Sequence, residues 1–177
     1  MKYMGSKSRI AKDIVSIIQK RIEEYKIKTY IEPFVGGGNI IDKIKCDIKI
    51  ASDNHRYLIE MFKNLDQIQS LPDFITKEHY SEVRDSFNKE LQIYPEWYIG
   101  AIGFLASYNG RFFDGGYAGI VKTKVGTERN YYDEAKRNLS KQIPNLRDVQ
   151  FQYGDYEKLY SDKTDCLFYC DIPYKGV

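Results

Sequence analysis

Three glycines in a row, Gly36-Gly37-Gly38, follow the mostly apolar run 29–34. Lacking Cβ atoms, such a run lets the backbone approach a bound molecule closely and adopts positive φ freely. Asp53 closes the next apolar run, 47–52. That is near the spacing at which dinucleotide folds hold out a carboxylate to ribose hydroxyls. The triplet is neither G-x-G-x-x-G nor a phosphate-binding P-loop, and alone it reads equally as a turn. With a strand-end aspartate it points to a nucleoside-type ligand. A third apolar run, 166–170, leads into Asp171-Ile172-Pro173-Tyr174. These four residues combine a carboxylate, a fixed φ and an aromatic face, a composition that suits a turn or a site.

Strands and helices must position these groups. Ile10, Ile14, Ile17, Ile18 and Ile22 recur at helical spacing over 8–25, with Ser6 or Ser8 available as a cap. Strands are expected at 29–34, 47–52, 149–153 and 166–170, the last as a buried parallel strand. A helix is expected just after the glycines, and another over 56–69, where Leu58, Ile59, Phe62, Leu65 and Ile68 share a face. Residues 78–108 read as helical, 109–119 as an irregular glycine- and aromatic-rich loop, and 132–143 as helix. Strands alternate with helices, so the class is α/β. A helical insertion separates the second strand from the third. In open α/β sheets, ligands bind beyond the carboxyl ends of the strands.

Composition narrows the class further. The chain has 177 residues, 42% of them hydrophobic and 15% aromatic, enough to bury a core and to exclude disorder. No apolar run approaches the roughly 20 residues that span a bilayer, so no membrane partner is expected. Three cysteines, Cys46, Cys166 and Cys170, lack zinc-ligand spacing; no metal site and a reducing, cytoplasmic setting follow. The net charge of +2 says little. Basic residues concentrate in the first thirty positions and from Arg111 to Arg147, which suits a polyanion or an ordinary solvated face.

Several segments, in order, carry a resemblance. Tyr3-Met4-Gly5-Ser6-Lys7 is an aromatic-x-Gly-x-Lys opening. Glu-Pro-Phe-Val-Gly-Gly-Gly follows over 32–38, Asn109-Gly110-Arg111 stands in the insertion, and Asp-Ile-Pro-Tyr over 171–174 comes last. Over essentially its whole length the chain resembles the Dam-type (D12 class) DNA adenine-N6 methyltransferases, which use S-adenosyl-L-methionine (SAM). The resemblance implies a Rossmann-like methyltransferase fold, with a SAM-binding catalytic domain over 1–64 and 146–177 and a helical DNA-recognition insert over 65–145. It implies that Tyr3, Lys7, Phe34, Gly36, Gly38, Asp53 and Asp171 contact the cofactor. Lys7 would meet the methionine carboxylate and Asp53 the ribose. Asp155 is a candidate for the cofactor's adenine amino group, or an N-cap for 156–160. Asn109 and Arg111 are the candidate contacts to double-stranded DNA.

The implied reaction needs help at the nucleophile, because the lone pair of adenine's amino group is delocalised into the ring. Asp171 and the Pro173 carbonyl would accept its two hydrogens and aim it at the sulfonium methyl, with Tyr174 stacking on a flipped-out base. Ile172 stands where the family carries a first proline, and a β-branched residue suits the extended backbone that precedes Pro173. The family's sheet continues beyond its catalytic loop. The expectation is therefore an incomplete sheet of four mainly parallel strands, with self-association through the exposed edge at 166–170 or a disordered or weakly stable C-terminal strand. Two rival readings are a DNA- or SAM-binding module without turnover, and methylation of another amide or amino group, such as a protein glutamine. Asp171 argues against the second, because such loops usually begin with Asn.

Overall fold

A computed structural model describes all residues except 123–124, 161–163 and 173–177. The chain divides into two compact units: one of Met1–Met4 and Glu60–Ile143, the other of Gly5–Ile59 and Pro144–Val177.

The second unit holds the sheet. Strands β1 (Thr29–Glu32), β2 (Ile48–Asp53), β5 (Val149–Tyr153) and β6 (Cys166–Phe168) lie in the order β5-β2-β1-β6. Every pairing is parallel. The register sets Glu32 beside Ala51 and Asp53 beside Tyr153, so the carboxylates that end β1 and β2 gather at one end of the sheet. β1 is central, and Tyr30 and Ile31 are fully buried. Ile31 and Ile50 pack with Tyr160, Leu159 and Cys166. Each fully buried side chain of this size contributes about 1.5–3 kcal/mol.

Helix α1 (Ala11–Glu24) buries Ala11, Ile18 and Ile22. Ile10 and Ile17 face solvent, so the buried stripe is narrower than the isoleucine spacing predicts. The expected serine cap is also corrected. Ile10 occupies the N-cap without a side-chain bond, and Ser6 Oγ accepts instead from Asn39 Nδ2 at 2.8 Å. No full helix follows the glycines. A single 3₁₀ turn, Ile41–Lys43, replaces it, because the chain must reach β2 within a few residues. β6 runs parallel as expected, but it is half-exposed rather than buried, since β1 alone pairs with it among the described residues.

The other unit is built on aromatic packing. The helix predicted over 56–69 is α2 (Arg56–Lys63) followed by a 3₁₀ stretch, Leu65–Ser70, and the one predicted over 78–108 is two helices, α3 (Lys77–Asn88) and α4 (Glu96–Leu105). Thr76 caps α3, its Oγ1 accepting from His79 N at 3.1 Å. Pro95, at the N-cap of α4, lacks the N–H a continuing helix would need. The rings of Tyr80, Phe87, Phe104, Phe112, Phe113 and Tyr117 form a chain of contacts 4.7–5.6 Å between centroids. A Cβ on Gly103 would lie 2.4 Å from the Phe112 ring, so glycine admits that ring against α4. A small antiparallel pair, β3 (Ile120–Lys122) with β4 (Glu128–Asn130), follows. It leads into α5 (Tyr131–Leu146), which continues into the sheet unit. The buried Lys136 Nζ pairs with Asp73 and donates to the carbonyl oxygens of Leu71 and Pro72.

Candidate functional site

The carboxyl end of the sheet collects the sequence-predicted residues of the second unit. Gly36 and Gly38 take φ of +46° and +64°, values that favour glycine, and both are buried. Val35 N donates to Ser52 O at 2.9 Å, so the loop leaves β1 still tied to β2. Asp53 fastens the turn from the other side. One carboxylate oxygen accepts from Gly36 N at 3.1 Å and the other from His55 N at 3.0 Å. Burial pushes the Asp53 carboxyl up, opposed by the amides of Gly36, His55 and Asn54. Burial likewise lowers His55, whose Nδ1 accepts from Leu58 N at 3.3 Å.

Two aromatic rings border the same sheet end. Phe34 is half-buried, and its ring lies 5.0 Å from that of Tyr156, the first residue of the short helix α6 (Tyr156–Tyr160). Asp155 is exposed, and its Oδ1 accepts from Glu157 N at 3.0 Å, which caps α6. Lys7 and Asp171 meet directly, Nζ to Oδ1 at 2.8 Å, with side chains 23% and 25% exposed. Ile172 is exposed beyond them. Pro173 and Tyr174 lie outside the described residues.

The sheet end holds a group to which the sequence reading gave no role. Glu32 is 3% exposed at the end of β1, and the Tyr30 hydroxyl donates to its Oε2 at 3.2 Å. Burial pushes its carboxyl up to about 8. The negative charges of Asp42 and Asp171 add to this, while bonds from Tyr30 and the Ile41 amide oppose it. Tyr30 itself is driven far above the usual phenol range by burial and by Glu32, so it remains a donor. A carboxylate directly after Tyr30-Ile31, ahead of the glycines, was the available signal. The bond between Asn39 and Ser6 was also missed, because a contact across thirty-three residues leaves no local pattern.

The remaining predicted residues belong to the other unit. Tyr3 stacks on Phe104 with centroids 5.7 Å apart. Asn109 is exposed with φ of +54°, and Arg111 pairs with Asp114 at 2.6 Å. The glycines around them serve packing: a Cβ on Gly110 would lie 2.4 Å from the Lys2 carbonyl oxygen, and one on Gly115 2.4 Å from that of Tyr108.

The donor set within the sheet unit fits a nucleoside with an amino-acid tail. It offers a buried positive-φ turn, a strand-end carboxylate, two partly exposed rings and a lysine. A parallel α/β sheet with these groups at its carboxyl end is consistent with a Rossmann-like methyltransferase fold. The profile of the D12 class N6 adenine-specific DNA methyltransferases matches residues 3–177, and the chain belongs to that family. It is also similar to the Type II methyltransferase M.MjaIII of Methanocaldococcus jannaschii. The two are 28% identical over 200 residues, covering 99% of this chain and 68% of that protein. The chain is thus a DNA adenine methyltransferase, and its reaction requires a methyl donor and a DNA substrate. Among the described residues, no helix is long and apolar enough to cross a membrane.

Proposed function

We propose that the donor is S-adenosyl-L-methionine and that the acceptor is N6 of an adenine flipped out of double-stranded DNA in the cytoplasm. One observation carries this reading: the glycine turn, Asp53 and the Lys7–Asp171 pair all stand at the same end of one sheet. When bound, the donor supplies an electrophilic methyl group on a sulfonium. Asp53 reaches the ribose hydroxyls while holding Gly36, and Phe34 with Gly36 and Gly38 forms the wall beside them. Lys7 serves the methionine carboxylate, and Tyr3 packs near the cofactor. Asp155 has one oxygen committed to its helix cap and offers the other to the cofactor's adenine amino group.

Asp171 accepts one hydrogen of the target amino group and the Pro173 carbonyl the other, which concentrates electron density on N6 without a covalent intermediate. Tyr174 stacks on the flipped base. The insert, 65–145, holds the DNA, with Asn109 and Arg111 at base edges or phosphates. Calorimetric titration with SAM, then mass spectrometry of adenine-containing duplexes, tests the reading. Binding without transfer to adenine, or transfer to another base, would overturn it. Among the described residues β6 pairs with β1 alone, and its other side suits strand pairing with a second copy. Sedimentation at several concentrations reads that directly, and a monomer at all of them refutes it.

A further inference from the structure

The opening segment does more than supply a donor contact. Gly5 turns the chain with φ of +79°, and its carbonyl oxygen accepts from Lys7 Nζ at 3.3 Å. Ser6 Oγ accepts from Ser8 N at 3.2 Å and from Asn39 Nδ2 at 2.8 Å. Lys7 Nζ then meets Asp171 Oδ1 at 2.8 Å. One short turn is thus fastened to the glycine loop through Ser6 and to the end of β6 through Lys7. The aromatic-x-Gly-x-Lys spacing acquires a physical reason here: glycine supplies the turn, and the lysine two positions on bonds back to that glycine's carbonyl while reaching a second strand end.

We propose that Lys7 is a positioning residue for methyl transfer, fixing the Asp171 carboxylate where adenine's amino group must meet it. The inference rests on the reading of Asp171 as the acceptor. A carboxylate just past a strand end can rotate about two side-chain bonds. Holding Oδ1 on Lys7 limits that rotation and leaves Oδ2 as the oxygen to accept the amino hydrogen. A partly exposed ion pair adds little to folding stability. Placement matters much more to rate, since an error of roughly 1 Å can cost about a hundredfold. The pair therefore serves alignment rather than stability.

Single-turnover transfer at saturating SAM separates placement from donor affinity, which calorimetry measures apart. K7M should slow transfer by about 10–100-fold at saturation, with a melting temperature close to that of the wild type. K7R, which keeps the charge, should recover most of the rate. A K7M rate equal to wild type would overturn the proposal and leave Lys7 a donor contact only. A K7R as slow as K7M would overturn placement by charge. A second measurement needs neither turnover nor a Lys7 variant. Acylation of Lys7, mapped by mass spectrometry, should be several-fold faster in D171N than in wild type, and equal labelling would also refute the pairing. Wild type that transfers no methyl group yet shows the labelling difference would overturn the donor-and-base reading while sustaining the pair.

Discussion

Replacing Glu32 by Gln should change how stability depends on pH. The folded protein holds a proton on Glu32 up to about 8, while the unfolded chain releases it near 4.5. Between those values the native state binds more protons than the unfolded state, so stability falls as pH rises through the window. One fully linked proton changes stability by about 1.36 kcal/mol per pH unit. From pH 5 to pH 8 the wild type should therefore lose on the order of 4 kcal/mol from this residue, as an upper bound. Glutamine keeps the shape and an acceptor for the Tyr30 hydroxyl but cannot ionise. E32Q should thus match the wild type near pH 5 and exceed it increasingly towards pH 8. Urea unfolding followed by circular dichroism at pH 5, 6, 7 and 8 measures the difference between the two proteins, so shifts from His55 and Asp53 cancel. Parallel stability curves would show that Glu32 ionises normally inside the protein, and the account of its burial would fail.

Three further outcomes follow. D53A should weaken SAM binding by roughly 1–3 kcal/mol, the scale of a lost charge-assisted hydrogen bond; unchanged affinity by calorimetry contradicts the ribose assignment. D171A should abolish transfer to adenine, and retained product in a mass-spectrometric assay contradicts the mechanism. G110A places a methyl 2.4 Å from the Lys2 carbonyl at a φ of +66°, and should cost about 1–3 kcal/mol of stability, read as a lowered melting temperature.

The four strands of the parallel sheet were legible as short β-rich runs, with Glu32, Asp53 and Gly154 interrupting the pattern at or just past the ends of β1, β2 and β5; the antiparallel pair β3 and β4 carried no such pattern and was not expected. The glycine turn and the cap at Asp155 were legible for the same local reason. What failed was long-range. Isoleucines 10 and 17 satisfy helical spacing yet face solvent, because periodicity names a stripe without saying how much of it a neighbour covers. Ser6 reads as a cap by type, but its oxygen serves Asn39, a partner that only the folded loop supplies. The break at 89–95 was signalled by Pro95 and obscured by apolar residues on both sides. Lys7 and Asp171 were each named, but their pairing lies across nearly the whole chain.

The strand order has a consequence for how the protein emerges from the ribosome. β1 and β2 leave early, yet their outer partners β6 and β5 are encoded roughly a hundred residues later. At about 5–20 residues per second, the first half of the sheet waits several seconds with both edges unpaired. During that interval the contiguous stretch Glu60–Ile143 can condense on its own aromatic rings, needing only Met1–Met4, which are already synthesised. The sheet, and with it the site, can close only after Cys166 has left the exit tunnel. Translation speed between codons 54 and 166 therefore sets how long an adhesive parallel pair is exposed. Slow codons there should lower soluble yield more than the same codons placed before β1.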